Sequence, residues 1–238
     1  GLGRMGFNPS EITSAIGNVL NLSRATGTEL GESADIAANS LRMFGLEAGK
    51  MSHIADVLTA TANGSAQTLT DLFEGLKMAG PQAAAAGESI DELCASLGIM
   101  ANMGIKGSLA GTALRKAFVQ FSSTKVQDIL REVGVETTDA SGNLRKMAAV
   151  MRDIAVAAQK LPTAERIAFM QEVFDVRGMM SGLTLTANID ELDAFLAKLR
   201  DVSGQADATS KAMDAGIGGS FRLFQSAVEG SMNAVGDA

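Results

Sequence analysis

The sequence has no tryptophan and no tyrosine, and among its 238 residues only three prolines, one histidine and one cysteine. One cysteine cannot close an intrachain disulfide or build a zinc knuckle, and one histidine cannot build an imidazole-based metal centre. No metal-ligand set and no cofactor fingerprint is present, and the lack of intrachain disulfides fits a reducing compartment. Long apolar runs are missing too. The longest uncharged stretches, Val57–Thr70 and Leu93–Ile105, contain polar groups and fall short of the roughly 18–20 apolar residues that cross a bilayer. No basic-then-apolar secretory signal opens the chain.

Basic charge is in short supply. Twenty Lys and Arg stand against 27 Asp and Glu, for a net charge of -7. That balance argues against a general grip on DNA or on an anionic membrane, either of which needs a basic surface. The sign varies along the chain. Residues 1–105 sum to -6, residues 106–177 to +3 and residues 178–238 to -4. A mildly basic middle between acidic flanks reads as a solvated mixed-charge face, with a local patch for an acidic partner as the alternative.

What is abundant is helix-forming sequence, with 46% apolar residues and 26 glycines that punctuate it. Asn8-Pro9-Ser10-Glu11 opens a first helix, with Ile12, Ala15, Ile16, Val19 and Leu20 on one face and Gly27 as its stop. Further helices are predicted over Gly31–Phe44, Glu47–Ala62 and Thr70–Ala79, the last broken by Gly80-Pro81. Ser89-Ile90-Asp91-Glu92 is a capping box that starts a helix running toward Gly104. Leu109–Ser122, Val126–Val133, Leu144–Lys160, Thr163–Val176, Met179–Ala187 and Ile189–Val202 follow, the last capped by Asn188 with Glu191. Thr137–Asn143 is the clearest loop, with a small hairpin-like turn. No window alternates with period two over a strand's length, so the fold class is all-α.

The pattern divides the chain into a compact core domain of about ten short helices over 1–202, a small polar linker over 203–210, and a longer amphipathic helix over 211–238. In that last segment Ile217, Phe221, Phe224, Val228 and Val235 form a seam of the coiled-coil kind, suited to self-association or to docking on the domain. The chain opens at Gly1 and closes on Gly-Asp-Ala, which reads as part of a longer polypeptide. Two helical hairpins echo one another faintly: Leu41–Gly45 (LRMFG) and Leu76–Gly80 (LKMAG). A duplication produces such an echo, and so does chance in a Gly- and Ala-rich chain.

Candidate chemistry is sparse. His53 reads as a polar residue on a helix edge and Cys94 as a small core residue beside Leu93 and Leu97. Asp91/Glu92 and Asp190/Glu191 sit in helix first turns, where carboxylates complement the macrodipole. Gly45–Met51 (GLEAGKM) is one residue short of a phosphate loop and has Met where a hydroxyl should bind magnesium. The most distinctive segment is Gly104–Arg115 (GIKGSLAGTALR), a Gly-flanked turn entering a helix whose early face is stripped to Ala, Gly and Thr. Close helix packing explains it, with Ser108 as cap; an anion held by free amides and Lys106 is the alternative. The 13 methionines read as gap-filling core ahead of an adaptable groove, and Met100, Met103, Met179 and Met180 fit either role.

With those residues in view, the chain resembles the core region of phage tail tape-measure proteins of tailed phages and prophages. The landmarks are Ala25-Thr26-Gly27, Ala55-Asp56-Val57-Leu58, Leu76 to Pro81, GIKGSLAGTALR at 104–115, Asp139 to Leu144 and Val176-Arg177-Gly178-Met179. The residues singled out as family-motif positions are Gly80, Pro81, Gly104, Ile105, Lys106, Gly107, Ser108, Gly111, Thr112, Leu114, Arg115, Arg177 and Gly178. Positions the family fills with Ala or Leu are often Met here.

The resemblance implies a structural, non-enzymatic virion role: setting tail length, occupying the tail tube and taking part in DNA ejection. It also implies tail-tube subunits, tail-assembly chaperones and the tail-tip or baseplate hub as partners, homo-oligomerisation, and synthesis in the host cytoplasm before incorporation in the virion tail. A helical adaptor that captures a host or chaperone segment is the alternative.

Overall fold

A computed structural model describes residues 9–215. Within them lie eleven α-helices: α1 (Pro9–Thr26), α2 (Leu30–Met43), α3 (Met51–Gly64), α4 (Leu69–Ala85), α5 (Ile90–Asn102), α6 (Gly107–Phe121), α7 (Thr124–Glu132), α8 (Met147–Gln159), α9 (Thr163–Ala187), α10 (Ile189–Arg200) and α11 (Gln205–Ala215). A 3-10 turn at Ala48–Lys50 leads into α3. No strand occurs among the described residues, and the predicted hairpin-like loop holds one isolated antiparallel bridge between Thr138 and Leu144. The protein is all-α.

Two helices form the centre. Every residue of α5 from Ile90 to Ala101 is buried, and so is most of α3, including Asp56, Thr59 and Thr61. A helix that loses solvent on all sides must be small or apolar all round, which is what Cys94, Ala95, Ser96 and Gly98 supply between the leucines of α5. α4, α6, α9 and α10 pack around α5, while α1, α2 and α11 pack around α3. The Phe195 ring of α10 fastens the two groups. It lies so close to Gly64 and Gly98 that a β-carbon on Gly98 would stand 2.3 Å from it.

Local signals account for many of the helix starts and stops. Ser89 and Glu92 form the predicted capping box, each side chain accepting from the other's backbone N–H. A second box, Thr68 with Asp71, opens α4. α1 and α2 stop just before Gly27 and Gly45.

Several expectations fail, each for a physical reason. α4 does not break at Gly80-Pro81 but continues to Ala85. Pro81 removes one intrahelical N–H and costs about 3 kcal/mol in a free helix, yet Leu76, Ala79, Gly80 and Ala83 all bury here and packing wins. The predicted pair Thr163–Val176 and Met179–Ala187 is present as the two halves of α9, but they meet at Asp175 (φ 59, ψ 164) and not at Arg177-Gly178. The stretch read as a linker, 203–210, contains most of α11, which packs on α1 and α3. Asn188 does not cap α10 with its side chain; its amide donates back to the Thr184 carbonyl at 2.8 Å. The seam Ile217, Phe221, Phe224, Val228 and Val235 lies outside the described residues.

Candidate functional site

The GIKGSLAGTALR segment is the joint between α5 and α6, and its glycines do two different things. Gly104 and Gly107 take φ of +83° and +59°, a region that a β-carbon disfavours, and so turn the chain. The Ile105 N–H donates to Met100 O at 2.9 Å, closing the end of α5. Gly111 sets packing distance: a β-carbon there would stand 2.3 Å from the carbonyl oxygen of Gly75 and 2.8 Å from the β-carbon of Met78. Leu114 is buried, and Ile105 packs against the core. Ser108 is exposed and is not the cap; the N-cap position belongs to Lys106, which makes no side-chain cap. Lys106, Thr112 and Arg115 face solvent fully or in part.

The remaining motif residues also meet neighbours. Gly80 faces Met43 so closely that a β-carbon would overlap the Met43 sulfur. Gly178 rests against Lys116 and Ala117 of α6, while Arg177 beside it is exposed. Of the four methionines left open, Met100 is buried, Met179 half-buried, and Met103 and Met180 exposed.

A cluster that sequence reasoning missed lies at the N-terminus of α5. Glu92 is buried and accepts from Ser89 N–H at 2.7 Å, from Lys146 Nζ at 2.8 Å and from Arg200 Nη2 at 3.2 Å. Beside it Glu88, 6% exposed, accepts the Met147 N–H at 2.6 Å and so caps α8 from a distant part of the chain. Burial pushes the Glu88 carboxyl up to about 8; the neighbouring Glu92 carboxylate, which takes its hydrogen bond, adds to this. Burial works against ionisation of Glu92 as well, but Lys146, the Ser89 N–H and the Glu88 proton together hold it at about 2. The pair therefore shares one proton at neutral pH, and it ties α5, α8 and α10 together. The only hint in the sequence is an extra acid immediately before a capping box.

Asp56 is the second missed acid. It sits in the buried stretch Ile54 to Thr59 of α3 and accepts Gly204 N–H at 2.9 Å and Ala206 N–H at 2.8 Å, capping α11 from across the fold. An acid between Ala55 and Val57, among the apolar residues that α3 buries, was the available signal.

Of the two residues with catalytic character, Cys94 is buried and His53 is held by Asp91. Burial pushes the Cys94 thiol far above its ordinary range, and the Asp91 charge adds to it. His53 Nε2 pairs with Asp91 at 3.1 Å, whereas the Ser89 hydroxyl nearby accepts from Glu92 N–H as a helix cap. A depression of about 280 Å³ brings Lys50, His53, Glu88 and Asp91 to one rim. No group of three or more His, Cys, Asp or Glu suited to a metal ion occurs among the described residues. No helix of the described residues is long and apolar enough to cross a membrane.

Comparison with known proteins decides the family. The model of the phage-related minor tail protein family matches residues 1–175. The chain belongs to that family. Two relatives extend the match over almost all of the chain. The tape measure protein of Pneumococcus phage Dp-1 is 32% identical over 231 residues, covering 96% of this chain and 20% of the relative. The probable tape measure protein of Escherichia phage P2 is 30% identical over 234 residues, covering 96% and 29% respectively. The chain thus spans less than a third of the length of these relatives. No solved structure matches it.

Proposed function

We propose that this chain is the folded core module of a tape-measure protein, with a structural and assembly role in a phage or prophage tail and no catalytic step. The observation that carries the reading is the alignment of 96% of the chain with tape measure proteins of two phages with different hosts. The site geometry agrees with it. The distinctive motif is spent on a turn and on helix contact, and the buried acids are spent on capping helices and joining them.

Under this reading the parent chain sets tail length, occupies the tail tube and contributes to DNA ejection. Its partners are tail-tube subunits, tail-assembly chaperones, the tail-tip or baseplate hub and its own copies. It is made in the host cytoplasm and ends in the virion tail. Residues 1–202 with α11 form the packed module, and the Ile217–Val235 seam leads into the self-associating part of the parent.

In-frame deletion of these 238 residues from the parent gene, followed by electron microscopy of the tails, tests the proposal. Tails shortened by up to about 360 Å, the length of the whole segment drawn out as helix, identify extended ruler. Tails of normal length with reduced infectivity identify a folded module with a separate task. Loss of tails identifies an assembly role. Normal tails with normal infectivity overturn the proposal.

A further inference from the structure

The first six helices repeat one unit. α1, α3 and α5 end at Thr26, Gly64 and Asn102, while α2, α4 and α6 begin at Leu30, Leu69 and Gly107, a period of 38–39 residues. Burial keeps the same register. Positions i, i+3, i+4, i+7 and i+8 are all buried when counted from Ser33 in α2, from Leu72 in α4 and from Ala110 in α6. Positions i, i+4 and i+7 are buried when counted from Ala15 in α1, from Ile54 in α3 and from Leu93 in α5. Leu41 thus corresponds to Gly80, and the echo of LRMFG in LKMAG lies out of the structural register. Residues as unlike as Ser33, Leu72 and Ala110 fill one equivalent position, which is why the period is faint in the sequence.

Each hairpin meets the next through the same parts. α3 packs on α1 and α5 on α3, while α4 packs on α2 and α6 on α4. Asn63 donates to Ala25 O at 2.9 Å, and Asn102, one period later, accepts the Ala66 N–H at 2.9 Å. Each asparagine thereby holds the hairpin before its own. The first hairpin is the end of the stack: Ile16 and Leu30 are 52% and 44% exposed, whereas Ala55 and Leu69, one period on, are each 1% exposed. The chain then returns over the stack in reverse order. α9 lies on α6 and α5, α10 on α5 and α3, and α11 on α3 and α1. A polar contact fastens each of the three: the Ser181 hydroxyl donates to Ala113 O at 3.1 Å, Arg200 donates to Glu92 at 3.2 Å, and Asp56 accepts from Gly204 and Ala206.

We propose that α1–α2, α3–α4 and α5–α6 are three copies of one stacked hairpin, that α9–α11 are a strap laid back across them, and that the module opens by units: the strap first, then the hairpins in order from α1–α2. Stacked repeats are held by interfaces between neighbours, so each unit can leave without the whole stack dissolving. The strap is what joins non-adjacent parts, because α11 ties the last described helix to the first hairpin. Once it lifts, α1–α2 keeps one hairpin neighbour, whereas α3–α4 keeps two. α7 and α8 pack on α9 and leave with the strap. The use of such a device rests on the tape-measure reading: a module that opens by units passes from folded to drawn-out form in increments.

The test is to pull the full 238-residue chain from its two ends in an optical trap. The expected record is a first release of the strap, followed by three separate steps of 38–39 residues. Each such step lengthens an extended chain by about 130 Å. Asp56→Asn, which weakens the cap on α11, lowers the force of the first release and leaves the later step lengths unchanged. One step that frees the whole chain, or later steps of other lengths, overturns the proposal, as does a first release unmoved by Asp56→Asn. Native-state hydrogen exchange on the wild type keeps the test open where the variant misfolds. Amides of α11 are expected to open at the lowest free energy, those of α1–α2 next and those of α5 last, and one shared opening for all helices overturns the proposal. A failed pulling test removes the device and leaves the tape-measure reading to the tail-length experiment.

Discussion

The α-carbon of Gly111 on α6 faces the carbonyl oxygen of Gly75 on α4, and a β-carbon at Gly111 would sit 2.3 Å from that oxygen. Gly111→Ala ordinarily favours a helix by up to about 1 kcal/mol. Here the obstacle is backbone, which cannot step aside as a flexible side chain does. Gly111→Ala is expected to destabilise the domain by about 3 kcal/mol, the upper end of overpacking costs. Urea unfolding midpoints of the wild type and the variant measure it, and a stabilised variant would contradict the close approach of α4 and α6.

The Glu88–Glu92 pair makes stability depend on pH with a definite sign. In the folded state Glu88 keeps its proton up to about pH 8, whereas an unfolded chain releases it near 4.5. Stability from this group is complete below about pH 4.5 and is lost as the pH rises toward about 8. Glu92 acts oppositely: its contribution is present above about 4.5 and is lost toward about 2. Thermal melts are expected to give a higher Tm at pH 5 than at pH 8.5. Glu88→Gln keeps the acceptor for Met147 N–H and offers an amide N–H to Glu92, so its Tm is expected to change little across that interval. An alkaline decline of unchanged steepness in Glu88→Gln would remove the pair as its cause.

Cys94 is expected to be a reporter of unfolding. Its thiol is fully buried on α5 and resists ionisation, and only the thiolate reacts with alkylating agents. Labelling at neutral pH should therefore proceed through opening of the core and accelerate sharply in urea near the unfolding midpoint. Fast stoichiometric labelling of the native protein, followed by mass spectrometry, would show the thiol to be accessible.

Asp175 offers a test of the kink in α9. A non-glycine residue at φ 59, ψ 164 carries strain of about 1–3 kcal/mol. Asp175 offsets part of it by accepting the Val176 N–H with its own carboxylate. Asp175→Gly is therefore expected to be more stable than Asp175→Ala by about 1 kcal/mol, the reverse of their ranking inside a regular helix. Chemical denaturation of the two variants decides, and the ordinary ranking would mean that α9 is continuous.

What was legible in the sequence was what is decided within a few residues. Gly27 and Gly45 ended their helices, and Ser89 with Glu92 opened α5, because caps act across one turn. The inward half of the GIKGSLAGTALR motif was read as close packing from its small residues, and Gly111 against Gly75 has that form. Long-range compensation was not legible. Pro81 stops an isolated helix, but the buried row from Leu76 to Ala83 carries α4 past it. Residues 203–210 have a linker's composition, and Asp56, well over a hundred positions earlier, caps the helix that forms there. Ser108 looked like a cap because it is a serine near a helix start, yet the turn at Gly107 places it one residue inside α6. Glu88, an acid just before a capping box, holds the first amide of α8, a partner 59 positions away.

The contact of α11 with α1 sets a timetable for synthesis. Asn21 donates to Asp207, 186 positions later, at 3.4 Å, and Ala206 is buried beside Asp56. A ribosome adding about 5–20 residues per second needs roughly 10–40 s to travel that interval. Throughout that time the faces of α1 and α3 that α11 will cover stay open on the nascent chain. The last described helix is therefore the one on which closure waits, and the growing polypeptide spends tens of seconds with its earliest helices seeking cover.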